Sequence, residues 1–489
     1  MIVLYNPPSS ANRKPILPMS LLAIGALLEG RYEYVIVDGN LEPDPYVVIE
    51  KLIQEQGATI LAVTVMPGPQ LADAVPLCQR IKKAYPHLTI IWGGYFPTQH
   101  YDAVLRADYV DYVIRGHGEE AFLALLDTLQ RGATPLALNG VAYRAGDEII
   151  ANVPAPIPHP QNLPDFPYHR VDLTRYIRPT FMGKRTLPHH SSYGCPFFCN
   201  FCAVVNMVEG RWLAQSAERT ATIVRQLVKT WQLDAVEFYD NNFFTSEKRV
   251  AAFSQVIMDL NIGWWGEGRI DTMLAYSDQT WRLMRDSGLR MVFLGAESGS
   301  DQTLKRMDKG GRASTQKTLE IAAKMADYDI VPEMSFVVGN PPHPEQDTKQ
   351  TLEFIRKVKQ INPHTEIIIY VYTPVPLSGE LYEQARADGF AFPQTLEGWI
   401  SSEWQDFIQR RSANMPWMKD PIRRYVRDFE RVLNAYYPTS TDIRLTRFWR
   451  VLLRSISAFR YHTQFYRYPL ELRVLHKLIH YQRPETTGF

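Results

Sequence analysis

The sequence predicts an α/β fold in which a doubly wound parallel sheet precedes a partial barrel of parallel strands and a mostly helical region. Short apolar runs rich in Val, Ile and Tyr alternate with helical patterns near the N-terminus, and this alternation returns from about residue 186. Strands that alternate with helices form parallel sheets through right-handed crossovers. At 489 residues, the chain is long enough for two or three domains. We expect domains at 1–150 and 186–385, a linker at 151–185 and a helical region at 386–489.

The first domain is expected to contain five parallel strands and five helices. The strand candidates are 2–5, 34–38, 59–65, 88–92 and 110–114. The helical patterns cover Met19–Glu29, Tyr46–Gln56, Gln70–Tyr85, Thr98–Arg106 and Glu119–Gln130. A hairpin is expected at 140–151. Such a sheet binds ligands beyond the carboxyl ends of its strands, where the loops of this chain are rich in Gly and Pro.

The second domain is expected to follow an extended connector. Residues 153–168 contain six prolines, and proline excludes a regular helix or a central strand. The strand pattern then returns at 235–239, 291–295, 333–338 and 366–371. In a barrel of parallel strands, polar residues at the strand ends build the site. Those residues are Asp240, Arg269, Glu297 and Ser298, and Gly339 opens a turn after the strand 333–338.

Three of the four cysteines lie within eight residues, as Cys195, Cys199 and Cys202 in the segment GCPFFCNFC. Three thiolates at this spacing can hold three irons of a [4Fe–4S] cluster and leave the fourth iron open to a substrate or cosubstrate. The alternative is a zinc site completed by His189 and His190. Because only one other cysteine remains, a disulfide framework is not available, and a reducing, cytoplasmic setting is expected.

The cysteine spacing, with Phe201 directly before the third cysteine, resembles the radical S-adenosylmethionine (SAM) superfamily, in which the open iron binds SAM. The resemblance implies a [4Fe–4S] cluster, cleavage of SAM to a 5′-deoxyadenosyl radical, and an electron donor of the flavodoxin or ferredoxin kind. It assigns the SAM amine to Asp240, the carboxylate to Arg269, and the ribose and methionine part to Glu297 and Ser298. The adenine would lie near Phe201, Val338 and Gly339.

The first domain resembles the cobalamin-binding domain that precedes many radical SAM domains, through its NPP loop, the segment TVMPGP, the Gly-Gly loop and the segment RGHGEE. The resemblance implies cobalamin contacts from Asn6, Pro7, Thr64, Met66, Gly93, Gly94, Gly116 and Glu119. The loop after the first strand lacks the cobalt-ligating histidine of the Asp-x-His-x-x-Gly type of domain. This departure implies a cobalt without a protein histidine, or a domain that binds nothing. His117 is expected to be a solvent-exposed loop residue.

The domain order implies a cobalamin-dependent radical SAM enzyme. The first interpretation is methylation of an unactivated carbon in a small-molecule or lipid-like substrate. The alternatives are a ring-forming or oxidative enzyme of the tetrapyrrole cyclase type and, from a different class, a non-catalytic iron–sulfur redox sensor or scaffold. Tyr372 lies at a predicted strand end, where it either lines the pocket or belongs to the core.

Composition and charge limit the partners. The net charge of +1 does not favour nucleic acid, and no apolar run is long enough to cross a bilayer. The N-terminus has no basic segment or cleavage site, so no signal peptide is expected. The amphipathic segment 444–460 lies in a stretch, Arg444 to Arg483, with nine Lys and Arg against Glu471 alone. It predicts a helix packed on the barrel with a charged solvent face, or a helix that contacts a membrane surface.

Overall fold

The computed structural model describes residues 1–10, 15–307, 311–376, 379–408 and 417–479. Within these ranges lie two large sheets, one two-stranded sheet and a group of C-terminal helices. This architecture confirms the fold class that the sequence predicts. The domain boundaries at residues 150, 185 and 385 stay a prediction.

The first sheet has seven strands: β1 (Ile2–Asn6), β2 (Tyr34–Asp38), β3 (Ile60–Thr64), β4 (Thr89–Gly93), β5 (Tyr112–Ile114), β6 (Val141–Ala145) and β7 (Glu148–Ala151). Their order is β2-β1-β3-β4-β5-β6-β7. β1 to β5 are parallel, and the hairpin β6–β7 adds two antiparallel strands at the β5 edge. Because β1 and β3 are adjacent, the loops that follow them lie side by side at the carboxyl edge.

Six helices accompany this sheet: α1 (Met19–Leu28), α2 (Pro45–Gln56), α3 (Pro69–Ala84), α4 (Tyr95–Gln99), α5 (Tyr101–Leu105) and α6 (Gly118–Gln130). The single helix predicted at Thr98–Arg106 is wrong, because the chain breaks between α4 and α5 at His100, where φ is −126° and ψ is 40°. The His100 ring lies 5.2 Å from the Phe96 ring and 4.4 Å from the Trp399 ring. His100, at the break, thus packs against a tryptophan that is distant in sequence. The local apolar periodicity does not reveal such a contact.

The connector between the sheets is extended, as its prolines predict. Residues 152–167 contain no helix and no strand. Ala155 forms an isolated bridge with Gly116 of the first sheet's loops. Arg219 donates a hydrogen bond to the carbonyl of Leu163. The connector is therefore held by contacts with both halves of the chain.

Eight further strands follow: β8 (Thr186–His189), β9 (Ser192–Gly194), β10 (Trp212–Ala214), β11 (Ala235–Phe238), β12 (Gly263–Gly268), β13 (Leu289–Glu297), β14 (Val331–Val338) and β15 (Glu366–Val371). Six form a parallel sheet in the order β15-β14-β13-β12-β11-β8, and β9 pairs antiparallel with β10. The sequence pattern does not predict β8 and β12, because Pro188 interrupts the first and three glycines weaken the second. Proline is tolerated in β8 because that strand is at the sheet edge.

The helices of this second part are α7 (Val205–Val208), α8 (Ala217–Trp231), α9 (Glu247–Ile257), α10 (Ile270–Leu274), α11 (Asp278–Asp286), α12 (Asp301–Arg306), α13 (Thr315–Asp327), α14 (Pro344–Ile361) and α15 (Glu380–Ala387). Five of them begin with a serine whose hydroxyl accepts the N–H three residues later: Ser216, Ser246, Ser277, Ser300 and Ser314. Such caps satisfy N–H groups that have no partner inside the helix and so fix where each helix begins.

The C-terminal helices are α16 (Leu396–Ile400), α17 (Ser402–Ile408), α18 (Asp420–Tyr436), α19 (Arg447–Thr463) and α20 (Leu470–Leu478). α19 packs on α18 and buries Leu453, Ser457 and Tyr461. The exposed side chains of α19 include the charged Arg447 and Arg454 and also the apolar Phe448, Val451 and Phe459. Arg483 lies outside the described residues. Among the helices of the described ranges, none has the length and apolar character needed to span a membrane.

Candidate active site

The three cysteines lie in the loop between β9 and α7. Gly194 ends β9 with a φ of +83°, and a Cβ at this position would lie 2.2 Å from the carbonyl oxygen of Arg211. Only glycine fits this turn. Further along the loop, the N–H of Asn200 donates to the carbonyl of Met307 at 3.2 Å. Contacts at both ends therefore fix the loop that carries the cysteines.

Arg269, the residue before α10, brings a buried cation to this loop. Its Nε donates to Asp271 Oδ1 at 2.5 Å, and its Nη1 lies 3.6 Å from Cys199 Sγ. Its guanidinium carbon lies 3.9 Å from the centre of the Phe197 ring. N–H groups directed at cysteine sulfurs stabilise the thiolate and tune the potential of an iron–sulfur cluster.

The other two cysteines have their own polar neighbours. Asn242 Nδ2 lies 3.8 Å from Cys195 Sγ. Burial raises the pKa of the Cys202 thiol to about 12, and the nearby charge of Glu297 acts in the same direction. Phe201 is half-buried and packs on the core of the second part. Three thiols with N–H donors on two of them match the donor set of a [4Fe–4S] cluster that has three protein ligands.

The position of the histidines does not support the zinc alternative. His189 is 2% exposed, its Nδ1 lies 2.9 Å from the Tyr168 hydroxyl, and burial lowers the pKa of its imidazole to about 4. In the described ranges, no three His, Cys, Asp or Glu side chains come close enough to hold one metal ion. A four-iron cluster spans a wider set of thiolates than a single zinc ion does.

Asp240 follows β11 and is hydrogen-bonded to the segment before the cysteines. It is 0% exposed, its Oδ1 accepts the N–H of Ser191 at 2.7 Å, and its Oδ2 accepts the hydroxyls of Ser191 and Ser192, each at 2.6 Å. Both carboxylate oxygens thus accept hydrogen bonds from the protein, and the contact of Asp240 with the SAM amine stays a prediction. Its neighbour Asn241 instead lines the large cavity described below.

Glu297 and Ser298, at the end of β13, have different environments. Glu297 is 7% exposed and has a φ of +65° at a break in the register with β14. This conformation is strained for a residue other than glycine, and such strain concentrates at functional sites. Ser298 is 0% exposed, and its hydroxyl accepts the N–H of Ser300 at 3.1 Å and lies 3.3 Å from Asp347. The Ser298 hydroxyl therefore belongs to a buried network, and its contact with SAM stays a prediction.

The ends of β14 and β15 are covered by the C-terminal region. Val338 is 0% exposed, and a Cβ on Gly339 would lie 2.6 Å from Met418 Sδ. Met418 packs at Gly339, and the adenine wall at these two residues stays a prediction. Tyr372 is 2% exposed, and its ring centre lies 5.9 Å from that of Trp417. Tyr372 is a core residue rather than a pocket residue.

A cavity of about 670 Å³ lies between the carboxyl edge of the first sheet and the segment that carries the cysteines. The loops after β1, β3, β4 and β5 form one side, and residues between β8 and the end of α7 form the other. Most of the lining is apolar. The polar side chains in the lining are Asn6, Ser9, Ser20, Thr64, Gln70, His117, Glu119, His190, Tyr193 and Asn241. A large apolar cavity with few polar groups, at this edge of a parallel sheet, is typical of a cofactor site.

Most residues with a predicted cobalamin contact lie in this cavity. The lining includes Asn6, Thr64, Met66, Gly93, Gly94, Gly116 and Glu119. Pro7 is not part of it; its carbonyl accepts a hydrogen bond from Gln70 Nε2 at 3.2 Å. Gln70 also donates to Asn6 Oδ1 at 2.9 Å and accepts the Met66 N–H at 2.9 Å. Gln70 thus holds the Pro7 carbonyl inside the protein, and the Pro7 contact with cobalamin stays a prediction.

Where glycines line the cavity, backbone atoms form its floor, because glycine has no side chain. Gly94 has a φ of +98°, and a Cβ there would lie 3.1 Å from Thr64 Oγ1. Gly116 has a φ of +82°. The loop after β1, residues 6–10, contributes no histidine. An open backbone floor and the absence of a histidine in that loop fit cobalamin bound without a cobalt ligand from the loop.

His117 is not the solvent-exposed loop residue that the sequence predicts. Its side chain is 15% exposed, and its Nδ1 lies 3.8 Å from Glu119 Oε2. Its ring centre is 5.1 Å from that of Tyr193. Burial raises the pKa of Glu119, but hydrogen bonds from His117, the backbone and Tyr193 outweigh it, so the pKa lies below the usual value. Glu119 is therefore a carboxylate at neutral pH, at the polar end of the cavity.

Two protein-family models match the chain. The B12 binding domain matches residues 13–126, and the radical SAM superfamily matches residues 190–355. The first range contains the carboxyl edge of the first sheet from β2 to β5, and the second contains the cysteine loop. The chain is a radical SAM enzyme with a B12-binding domain.

Curated relatives of this radical SAM enzyme include methyltransferases and cyclases. An uncharacterised methyltransferase of Pyrococcus horikoshii is 24% identical over 365 residues, which are 73% of this chain and 78% of the relative. The anaerobic magnesium-protoporphyrin IX monomethyl ester cyclase of Synechocystis is 25% identical over 359 residues, which are 69% of this chain and 70% of the relative. The domain order and these relatives indicate an enzyme and do not favour the non-catalytic alternative.

Solved structures share the fold of this radical SAM enzyme. The cobalamin-dependent SAM radical enzyme OxsB, with aqua-cobalamin bound, has a TM-score of 0.66 at 16% identity, over 98% of this chain and 75% of that one. The radical SAM methyltransferase TsrM of Kitasatospora setae, with cobalamin and a [4Fe–4S] cluster bound, has a TM-score of 0.61 at 14% identity, over 75% and 71%. The cofactors of the two matched families, cobalamin, a [4Fe–4S] cluster and SAM, agree with the cofactors predicted from the sequence.

Sequence reasoning missed several residues of the radical SAM enzyme's cavity. Tyr193, His190 and Asn241 line it from the side of the cysteine loop. Tyr193 is two residues before the first cysteine, so proximity to the motif was an available signal. Gln70 had no such signal, because its role depends on hydrogen bonds to loops that are distant in sequence.

Proposed function

We propose that this enzyme is a cobalamin-dependent radical SAM methyltransferase that acts on an unactivated carbon of a small-molecule or lipid-like substrate. The shared cavity carries the proposal, because strand ends of the B12-binding domain form one side and the cysteine-bearing segment forms the other. When bound, the cluster supplies the electron for SAM cleavage and cobalamin supplies a carrier for the methyl group. A substrate held between these two sides would meet both cofactors.

The cluster side of the proposal rests on few residues. Cys195, Cys199 and Cys202 would hold the cluster. Arg269 would orient the Cys199 thiolate that binds one iron of the cluster. Its buried positive charge supports the predicted contact with the SAM carboxylate. Glu297 would border SAM, because its charge is near Cys202 and its backbone at the end of β13 is strained. Phe201 keeps its predicted place beside the adenine.

The cobalamin side of the proposal rests on the cavity floor. The backbones at Gly93, Gly94 and Gly116 would let the corrin approach the strand ends closely. Thr64 and Met66 would border it from the loop after β3. We assign no protein histidine to cobalt from the loop after β1, and His117 is engaged with Glu119 instead.

The lining favours a mainly apolar substrate with one polar group. Apolar side chains such as Ile24, Phe122 and Met207 would contact its body. Tyr193 and His190, whose ring centres are 5.6 Å apart, would face its polar group. Burial lowers the pKa of His190, so it is neutral at pH 7 and can accept a hydrogen bond through its unprotonated nitrogen.

A second candidate function is oxidative ring formation. The match to the Synechocystis cyclase covers 70% of that cyclase, and a cyclase of Rubrivivax gelatinosus is 26% identical to this chain. This candidate uses the same cofactor sites. It differs in product, because ring formation does not transfer a methyl group.

The proposed reaction also requires an electron donor and a reducing environment. Reductive cleavage of SAM needs an electron donor of the flavodoxin or ferredoxin kind. A reduced cytoplasmic location would protect a cluster at this loop.

The test begins with cofactor content. The protein is purified anaerobically, reconstituted with iron, sulfide and hydroxocobalamin, and assayed for bound iron, sulfide and cobalamin. We expect near one four-iron cluster and one cobalamin per chain. SAM and a strong reductant should then yield 5′-deoxyadenosine, and Cys199→Ala should abolish both cluster and product while cobalamin stays bound.

Three results would contradict this proposal. A cluster without cobalamin would exclude the methyltransferase. Intact iron content in Cys199→Ala would contradict the ligand assignment. Formation of 5′-deoxyadenosine without any S-adenosylhomocysteine, across a panel of apolar acceptors, would favour the cyclase.

A further inference from the structure

The C-terminal helices expose an unusual amount of apolar surface. Nine of the sixteen large apolar side chains that are exposed in the described ranges lie between residues 443 and 478. Phe448, Phe459 and Leu478 are 68%, 70% and 72% exposed. Monomeric proteins rarely leave such side chains in one contiguous region unless it contacts another surface.

These side chains follow the helical period rather than being scattered. On α19, Phe448, Val451 and Phe459 lie on the face opposite to the buried Leu453 and Ser457. On α20, the exposed residues are spaced four apart, at Leu470, Val474 and Leu478. Each helix therefore has one apolar stripe packed inward and a second one directed to solvent.

Arg460 holds the loop between α19 and α20 beside the end of α19. Its guanidinium donates to the carbonyls of Phe465, Arg467 and Tyr468 and to the carboxylate of Glu471. The loop after α19 and the first turn of α20 are thus fixed beside the end of α19. The exposed Phe459, Phe465 and Leu470 therefore belong to one region of the surface.

The charge around this apolar surface is positive. Arg444, Arg447, Arg454, Arg467 and Lys477 are exposed. None of the five forms an ion pair with a residue of the described ranges. The acidic neighbours are already bound, since Glu471 pairs with Arg460 and Asp428 lies 3.0 Å from Arg473. A cationic rim around exposed Phe and Leu is characteristic of helices that lie in the interface of an anionic bilayer.

We propose that α19 and α20 dock this enzyme on an anionic membrane surface, with the apolar stripes inserted among the headgroups. A second copy of the chain fits less well, because a symmetric contact would bring two cationic rims together. Nucleic acid fits less well, because the centre of the surface is apolar. The inference rests on residues outside the cofactor sites and does not depend on the proposed reaction.

The experiment measures flotation of the full-length, reconstituted protein with vesicles. The vesicles contain phosphatidylcholine alone or a 3:1 mixture with phosphatidylglycerol, roughly matching a moderately anionic bilayer. We expect binding to the anionic vesicles that weakens with salt, and about tenfold weaker binding for the double variant Phe448→Ser/Phe459→Ser. Arg447→Glu/Arg454→Glu should lose the preference for anionic vesicles. Leu136→Ser is the control, because Leu136 is also 70% exposed but lies in the first domain.

Several outcomes would overturn the proposal. They are equal binding to neutral and anionic vesicles, no difference between the Phe double variant and Leu136→Ser, or a dimer in solution that the Phe double variant dissociates. Binding only after truncation beyond Ile479 would show that the C-terminal tail covers the surface, which also contradicts it. Bound iron and cobalamin are measured on the same samples, so failure here is distinguishable from failure of the proposed function.

Discussion

At the scale of single residues, Arg269 links the barrel to the cysteine motif. Its guanidinium contacts Asp271, the Cys199 sulfur and the Phe197 ring at once. Both side chains of the ion pair are 7% exposed. Arginine can make these contacts together because its donors form a rigid planar fork, whereas lysine has one compact charge on a flexible stem.

We therefore expect Arg269→Lys to lower iron and sulfide content and to slow 5′-deoxyadenosine formation by about tenfold or more, since a lost charge-assisted hydrogen bond is worth about 1.5–3 kcal/mol. Cobalamin content should not change. Arg285→Lys is the matched control, because Arg285 pairs with Asp286 at the surface. Wild-type iron content and rate in Arg269→Lys would show that the contact with Cys199 has no role.

Asp240 acts at the same scale as a positioning residue. Its carboxylate accepts three hydrogen bonds from the serines that precede the cysteine motif. In Asp240→Asn, one oxygen becomes an NH₂ group that faces donors, so we expect a loss of about 1–3 kcal/mol in the free energy of unfolding. Urea unfolding of the protein measures it, with the exposed Asp259→Asn as control. An unchanged stability combined with a raised KM for SAM would instead show that Asp240 contacts SAM.

At the scale of elements, the pairing of β9 with β10 sets the course of the cysteine loop. Gly194 is paired with Trp212, and its positive φ turns the chain into the motif. The site is tight because a carbonyl oxygen occupies the space that a side chain would need. A local change at this turn should therefore act on the whole loop.

Gly194→Ala should reduce stability and iron content together, because the added Cβ meets the Arg211 carbonyl and the φ is unfavourable for alanine. Gly146→Ala separates the two causes, since Gly146 also has a positive φ, +63°, but open space around it. The control should lose only about 1–2 kcal/mol from the left-handed conformation, with full iron content. Equal losses in the two variants would mean that backbone strain alone matters at Gly194.

At the scale of the whole molecule, the C-terminal region joins the B12-binding domain through aromatic packing. The Trp399 ring centre lies 4.9 Å from that of Phe96 and 5.5 Å from that of Phe392. α16, which carries Trp399, packs on α3, whose second residue is the cavity residue Gln70. The C-terminal region therefore supports the cavity from outside.

Trp399→Ala should destabilise the protein by about 3–5 kcal/mol and weaken cobalamin retention while iron content stays the same. Trp281→Ala is the control, because Trp281 is equally buried but stacks on Tyr328 in the second part. It should cost similar stability without a specific loss of cobalamin. Cobalamin loss of the same size in both variants would show a general effect of unfolding.

The sequence by itself predicted the parallel sheets, the cysteine motif and seven of the residues that line the cavity. These depend on local patterns: apolar runs, cysteine spacing, and glycines directly after strands. Tertiary structure alone decided which polar residues line the cavity. Asp240 and Ser298 have the expected chemistry at strand ends, but distant serines and Asp347 enclose them. Gly339 lies beside Met418, and His117 packs against Glu119 and Tyr193, because burial depends on neighbours that spacing along the chain does not reveal.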